Sequence, residues 1–345
     1  MKFRSQLVGL AALAVLTPAF AQIKLNDQIT VTGWGTGSFQ YADTSPGGSS
    51  QTVNLDNALV QATITPTTAK NVTAVMSVFY HPAAEGGVSP GGSEATLLDA
   101  YVSYNAGGGM TITAGKYLSP LGYESYYSIS DNMITLANQA FLGPIPGYHE
   151  GIKIDYAPTK TDTMGIGIVD SLYNKPGYDA TEGDGEFKHN AGFEGYYQNT
   201  AVDNLTIWMG GGYETTTKPG FDTDGVTNPK GSDVWVGDIW AAYTLDKAGD
   251  QIAVEEIYKD GGTGNKGSNW LIYGLYNIPN SKVSSWFCFS GEDVTGGPSY
   301  TKYSVAPTYT YNPSLSFRLQ YSYTSYSSYV IKSANFFGAE VLFKF

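Results

Sequence analysis

The amino-acid sequence predicts an all-β fold, a transmembrane antiparallel up-and-down β-barrel of about 16 strands with short turns on one rim and long loops on the other. Three observations carry that prediction. Segments of about ten residues alternate apolar and polar from residue 28 to the end, which is the period of a strand with two unlike faces. The connections between these segments alternate short and long. The composition is rich in aromatics but poor in charge, with 27 Tyr, 15 Phe and 6 Trp against 14% Asp, Glu, Lys and Arg. Mean hydropathy is −0.18, too low for a helical membrane protein. A chain this aromatic is also not disordered. In hydrocarbon every backbone amide needs an internal partner, which only a helix or a closed sheet supplies.

The elements follow in order. Residues 1–21 read as a secretory signal peptide: Lys2 and Arg4 form a basic start, 7–16 is an unbroken apolar run, and Ala19-Phe20-Ala21 offers small residues for cleavage before Gln22. That apolar run is too short to span a bilayer as a helix, which takes about 20 residues. Mass spectrometry of the exported protein is expected to show an N-terminus at Gln22, and intact Met1 in the mature pool would refute the signal peptide. Residues 22–345 then form one barrel. The first strand begins so soon after Gln22 that no plug domain is expected.

The expected strands lie near 28–42, 53–66, 71–82, 95–105, 110–118, 148–157, 162–171, 188–199, 203–216, 232–245, 250–259, 268–279, 281–291, 300–311, 314–328 and 332–345. Val72, Ala74, Met76, Val78 and Tyr80 fall on one face of their strand. Leu98, Ala100, Val102 and Tyr104 oppose Asp99, Tyr101 and Ser103 on the next. Leu315, Phe317, Leu319, Tyr321 and Tyr323 oppose Ser316, Arg318, Gln320 and Ser322. Around 252–258 the two faces are mixed. The long connections are expected at 43–52, 83–94, 119–147, 172–187, 217–231, 260–267 and 292–299, with a brief one near 328–331. An even strand number puts both chain ends on the short-turn rim. No repeat of 20–50 residues supports a solenoid, and a soluble sandwich would rarely run to this many strands without a domain break.

Composition removes several function classes. A formal charge of −12 argues against a nucleic-acid partner. One cysteine, Cys288, excludes a disulfide framework and a cysteine zinc site, and no cofactor is expected. His81, His149 and His189 fall near outer strand ends. Glu150 beside His149 makes no dyad, because neighbours on a strand point to opposite faces. No catalytic residue and no metal site are expected.

Near the C-terminus Gly338, Val341, Phe343 and Phe345 set apolar or aromatic residues in step toward a final Phe. This resembles the assembly signal of bacterial outer-membrane proteins. The run Gly115-Lys116-Tyr117-Leu118-Ser119-Pro120-Leu121-Gly122-Tyr123-Glu124 resembles the G-K-[FY]-x-x-P-x-G-Y-E stretch of the β-barrel porin-2 (OmpL-like) family. In that family a long segment follows and ends in a His-Gly or similar pair. Tyr148-His149-Glu150-Gly151 takes that place here, with one residue inserted. Gly33-Trp34-Gly35 is similar to the family's opening element. The resemblance implies a channel in the bacterial outer membrane, in contact with lipid and with the assembly machinery, and gives no substrate.

Residues 119–147 form the third long loop, which contains Glu124 and Asp131 and no Lys or Arg. So long a stretch without strand pattern needs a reason. The expectation is that it folds into the lumen, with Tyr123, Tyr126, Tyr127 and Phe141 as anchors; the plainer alternative is an exposed loop covering the mouth. Alternation places Asp99, Asp155 and Asp238 inside, with Lys153, Arg318 and Lys344 as basic counterparts, as candidates for lining the pore. Taken singly, each reads first as a charge that solvates the lumen or pairs across strands. Arg318 is the only arginine after the signal peptide, so no arginine ladder can be built. The sequence therefore points to a passive channel for small hydrophilic solutes or ions, weakly cation-preferring because acids outnumber bases. The alternative is a structural or surface-interaction barrel without conductance. Analogy with general porins implies a homotrimer.

Overall fold

The computed structural model describes residues 22–80, 95–124, 133–137, 141–173, 190–216, 220–221, 227–228, 233–246, 248–261, 266–327 and 329–345. Residues 1–21 with the cleavage residue Ala21, and Asp131, Tyr126, Tyr127, His81 and His189, lie outside the described residues.

Sixteen long strands form the wall. They are β1 (Ile29–Ser45), β2 (Ser49–Ile64), β3 (Val72–Tyr80), β4 (Ala95–Gly107), β5 (Met110–Leu118), β6 (Tyr148–Tyr156), β7 (Asp162–Val169) and β8 (Asn190–Asn199). β9 (Leu205–Thr216), β10 (Val234–Thr244), β11 (Gln251–Asp260), β12 (Lys266–Asn277), β13 (Val283–Val294), β14 (Ser299–Asn312), β15 (Leu315–Ser327) and β16 (Ser333–Lys344) complete it. Each strand is antiparallel to the next, and β16 returns to β1 through a ladder from Ser333↔Ser45 to Lys344↔Trp34. Beyond that ladder Gly33 N–H donates to the Phe345 carbonyl at 2.7 Å, and Phe345 N–H to the Gly33 carbonyl at 2.8 Å. The sheet therefore closes with no free edge. A short piece, Ile23–Lys24, pairs with the start of β1, and Gly220–Phe221 with Thr227–Asn228. The described residues contain no helix.

Faces follow the alternation. On β15, Phe317, Leu319, Tyr321 and Tyr323 are exposed on the outside while Arg318, Gln320 and Ser322 are buried within. Turns 65–71, 108–109, 157–161, 200–204, 245–250, 278–282 and 313–314 make the rim that holds both strand ends of the seam. The tightest uses Gly107, Gly108 and Gly109 with φ of 83°, 62° and 85°, a conformation open to glycine at no steric cost.

Three expectations are corrected. The loop expected at 43–52 is a turn at 46–48, because β1 and β2 keep pairing up to Asp43↔Ser49. Likewise the connection expected at 292–299 shrinks to 295–298, since Asp293 still pairs with Ser299. The polar residues there mark where the apolar band stops, and the strands run on past it, so the alternation of short and long connections fails on this rim. Second, Leu98 does not share a face with Ala100 and Val102. A β-bulge sets Ser77 against both Leu98 and Asp99, which turns Leu98 inward among Trp34, Leu59 and Phe79 and leaves Leu97 on the outer face. Third, Gly338 lies on the inward face, off the outward row of Val341 and Phe343. A Cβ at Gly338 would come within 2.8 Å of Ile134.

Candidate functional site

The lumen is the candidate site, and segment 119–147 shapes it. Its base is drawn together by Ser119 N–H donating to the Gly147 carbonyl at 3.0 Å. From there the described residues of the loop lie against the inward faces of β8 to β15. Gly122 (φ 96°) donates its N–H to Asp238 on β10 at 2.7 Å, and Tyr123 N–H donates to Glu255 on β11. The Tyr123 hydroxyl donates to Gln251 at 3.3 Å, and burial holds this phenol well above its ordinary range, so it remains a neutral donor. Further on, Thr135 N–H donates to Gln320 at 3.2 Å, and Lys302 donates to the Leu136 carbonyl at 2.6 Å. On the return, Phe141 and Leu142 N–H groups reach Glu292, and Lys259 donates to the Leu142 carbonyl at 2.9 Å.

Apolar packing completes this contact. Leu121, Tyr123, Met133, Ala137 and Ile145 join Tyr196, Trp208, Val236, Trp240, Ile257, Leu271 and Tyr273 in one buried cluster. Tyr196, Trp208 and Trp240 stack on successive strands with centroids 6.0 and 5.9 Å apart, and Tyr123 meets Trp240 edge-on at 5.4 Å. The start of the next loop braces the assembly. Ser171, Leu172 and Tyr173 all donate to Glu214 on β9, and the Tyr173 hydroxyl donates to the Pro144 carbonyl at 2.7 Å. Asp170 beside them accepts from Glu150 and Ser171 N–H groups, and burial pushes its carboxyl up to about 6.

The candidate residues divide between two environments. Glu124 is only 4% exposed, accepting from the Tyr273 hydroxyl and from Ala137 N–H at 2.7 Å. Asp238 is equally enclosed against Gly122. The other candidates bond to wall groups rather than to the loop. Lys153 and Asp155 pair at 3.4 Å with side chains 22% and 21% exposed; Tyr196 donates to Asp155 at 2.9 Å. Asp99 accepts from Ser77 at 2.6 Å. Arg318 on β15 lies 3.2 Å from Glu340 on β16, and Lys344 follows on the same inward face. Cys288 is buried on the inward face of β13 in the cluster that holds the loop.

Buried His149 contacts Glu194 on β8 at 3.0 Å, and Ser119 donates to the other oxygen of the same carboxylate at 2.9 Å. The carboxylate sits between hydroxyl and imidazole, which is not the nucleophile–base–acid order of a hydrolytic relay. Among the described residues no group of three or more His, Cys, Asp or Glu is arranged to hold a metal ion.

Sequence reasoning missed Glu194, Glu214, Glu255, Glu292, Lys259, Lys302 and Gln320, the wall residues that receive the loops. One signal was present. The mixed faces around 252–258 resolve into Ala253, Glu255 and Ile257 inside and Ile252, Val254 and Glu256 outside. Apolar residues occur on both faces because the outside meets lipid and the inside meets the docked loop.

The comparisons with known proteins agree with this architecture. Residues 28–345 match the family model described as "Putative beta-barrel porin-2, OmpL-like". No curated protein matches the chain significantly. Among solved structures, an anion-selective porin from Comamonas acidovorans is similar at TM-score 0.67 and 11% identity, over 92% of this chain and 99% of its own. The outer-membrane channel DcaP of Acinetobacter baumannii is similar at 0.64 and 10% identity, over 92% and 97%. In-vitro folded OmpT of Vibrio cholerae, in a trimer form, is similar at 0.59 and 15% identity, over 92% and 100%.

Proposed function

The chain belongs to this OmpL-like β-barrel porin family of the bacterial outer membrane, and on that premise we propose that it is a passive, water-filled channel for small hydrophilic solutes and ions, with a weak preference for cations. One observation supports it best. The infolded loop packs on β8 to β15, while β6, outside that contact, keeps the partly exposed charged pair Lys153–Asp155, as a hydrated passage beside the loop requires. A sixteen-stranded barrel is wide enough to leave an aqueous lumen, whereas eight strands are filled by side chains.

The sign of the preference rests on charge. Inward carboxylates, among them Asp56, Asp99, Asp155, Glu194, Asp238 and Glu340, outnumber the inward bases Lys153, Lys259, Lys302, Arg318 and Lys344 among the described residues. Low-dielectric walls focus such charge into the pore. A similar fold in an anion-selective porin fits this view, because selectivity resides in the lining rather than in the barrel. A homotrimer, with the outer-membrane assembly machinery acting on the C-terminal residues, is part of the same proposal; the trimer form of a similar barrel supports it.

Planar-bilayer recording tests the reading. The purified protein is expected to give discrete current steps, and under a tenfold KCl gradient a reversal potential on the K⁺ side. The preference should be larger in dilute salt, since the Debye length falls to about 3 Å at 1 M. Changing Asp155 to Asn, or Asp99 to Asn, should move the reversal potential toward zero. No conductance at all would favour a structural barrel, and an anion-selective wild type would overturn the charge argument.

A further inference from the structure

The buried carboxylates on the loop-bearing wall share a partner that a pore-lining charge would not need. Asp238 and Glu255 accept from the adjacent amides of Gly122 and Tyr123, where the loop descends. Glu292 accepts from the adjacent amides of Phe141 and Leu142, where it returns. Glu214 accepts from the adjacent amides of Leu172 and Tyr173, in the brace. Each grip is on main chain and falls on two consecutive N–H groups. A side-chain carboxyl offers enough acceptor sites to take two adjacent amides at once.

We propose that Glu214, Asp238, Glu255 and Glu292 are positioning residues that fix the aperture of the channel by holding the infolded segments through their backbone. The proposal rests on the channel reading above. Cations on the same wall complete the grip from the opposite polarity. Lys259 donates to the Leu142 carbonyl and lies 4.0 Å from the centroid of the Tyr173 ring, which joins loop and brace through one ammonium. Lys302 takes the Leu136 carbonyl in the same way. Beside the side-chain packing of Tyr123, Leu142 and Leu172, the lumen keeps its width because donors and acceptors of the main chain are matched to fixed wall groups. Buried acids in this role act on permeation first through geometry, by where they hold the loop.

Two pairs of variants test this in the full-length folded barrel, with heat-modifiable gel mobility confirming the fold. Glu255→Ala and Glu292→Ala remove the acceptors; Glu255→Gln and Glu292→Gln retain an acceptor oxygen without the charge. In the Ala variants, hydrogen exchange should become about tenfold faster at residue 123 and at residues 141–142 respectively, since those amides lose their acceptor. Single-channel conductance should rise about twofold with added flicker, and vesicles should admit larger sugars, because the constriction widens. The Gln variants should stay near wild type in exchange and in sugar exclusion. Unchanged exchange and conductance in both Ala variants would overturn the proposal. So would Gln variants that shift reversal potential as strongly as the Ala variants while exchange stays unchanged in all four, because the carboxylates would then act by charge. A silent wild type whose loop amides lose protection in the Ala variants would uphold the grip and overturn the channel reading instead.

Discussion

Deleting Phe345, or changing Phe343 and Phe345 together to Ser, is expected to remove most folded barrel from the outer membrane. Phe345 ends the seam, exchanging two backbone hydrogen bonds with Gly33 at 2.7 and 2.8 Å. Backbone groups left unpaired next to lipid cost several kcal/mol each. Its ring also covers Gly33 so closely that a Cβ there would lie 2.5 Å from it. Phe343 is 50% exposed on the outer face, and exchanging a lipid-facing Phe for Ser forfeits about 1.5–3 kcal/mol. The deletion acts on the seam and the double substitution on the apolar row, so comparing them separates the two. Heat-modifiable mobility reports the folded fraction. Wild-type yield in both variants would show the terminal aromatics to be incidental to assembly.

Arg318→Met is expected to destabilise the folded barrel by about 3 kcal/mol, the low end of the range for breaking a buried ion pair. Arg318 and Glu340 meet at 3.2 Å with side chains 8% and 1% exposed. Removing the cation leaves the Glu340 carboxylate beside Asp56 with Lys344 as the remaining nearby base. That remaining base, and water in the lumen, set the effect at the low end. Arg318→Met combined with Glu340→Leu should recover most of the loss, because two apolar side chains of similar volume leave no orphan charge. Urea unfolding in vesicles measures both. A single variant as stable as wild type would mean that solvent already screens the pair.

Much of this fold was written in the alternation of residues, and the failures have physical causes. Strand number, the seam and the faces of β3 and β15 follow from a period of two. Leu98 escaped that rule because one extra residue at a bulge reverses a face without leaving a mark in hydropathy. The turn at 46–48 escaped because polar residues such as Ser49, Ser50 and Thr52 pair as well as apolar ones once clear of lipid. The length of 119–147 and its lack of pattern pointed to a special role, and the run from Gly115 to Glu124 contains residues that meet the wall. The receiving residues were illegible, since Glu214, Glu255 and Glu292 are far from the loop in sequence. They read as ordinary polar positions in strands. Only the blurred faces of β11 hinted that something apolar covers the inside.

Chain order and contact order part company at one point. Segment 119–147 leaves the barrel after β5, but the groups that hold it are carried by residues 194 to 320. While the polypeptide is being laid down from its N-terminal side, the loop's amides have no acceptors and its apolar residues have no cover. The narrow passage is therefore a late product of biogenesis. The barrel's interior is furnished only as the second half of the strands, β8 to β15, joins the wall. A chain arrested before that stage is an open sheet whose loop has neither acceptors for its amides nor cover for its apolar residues, so closing the wall and narrowing the passage are one event.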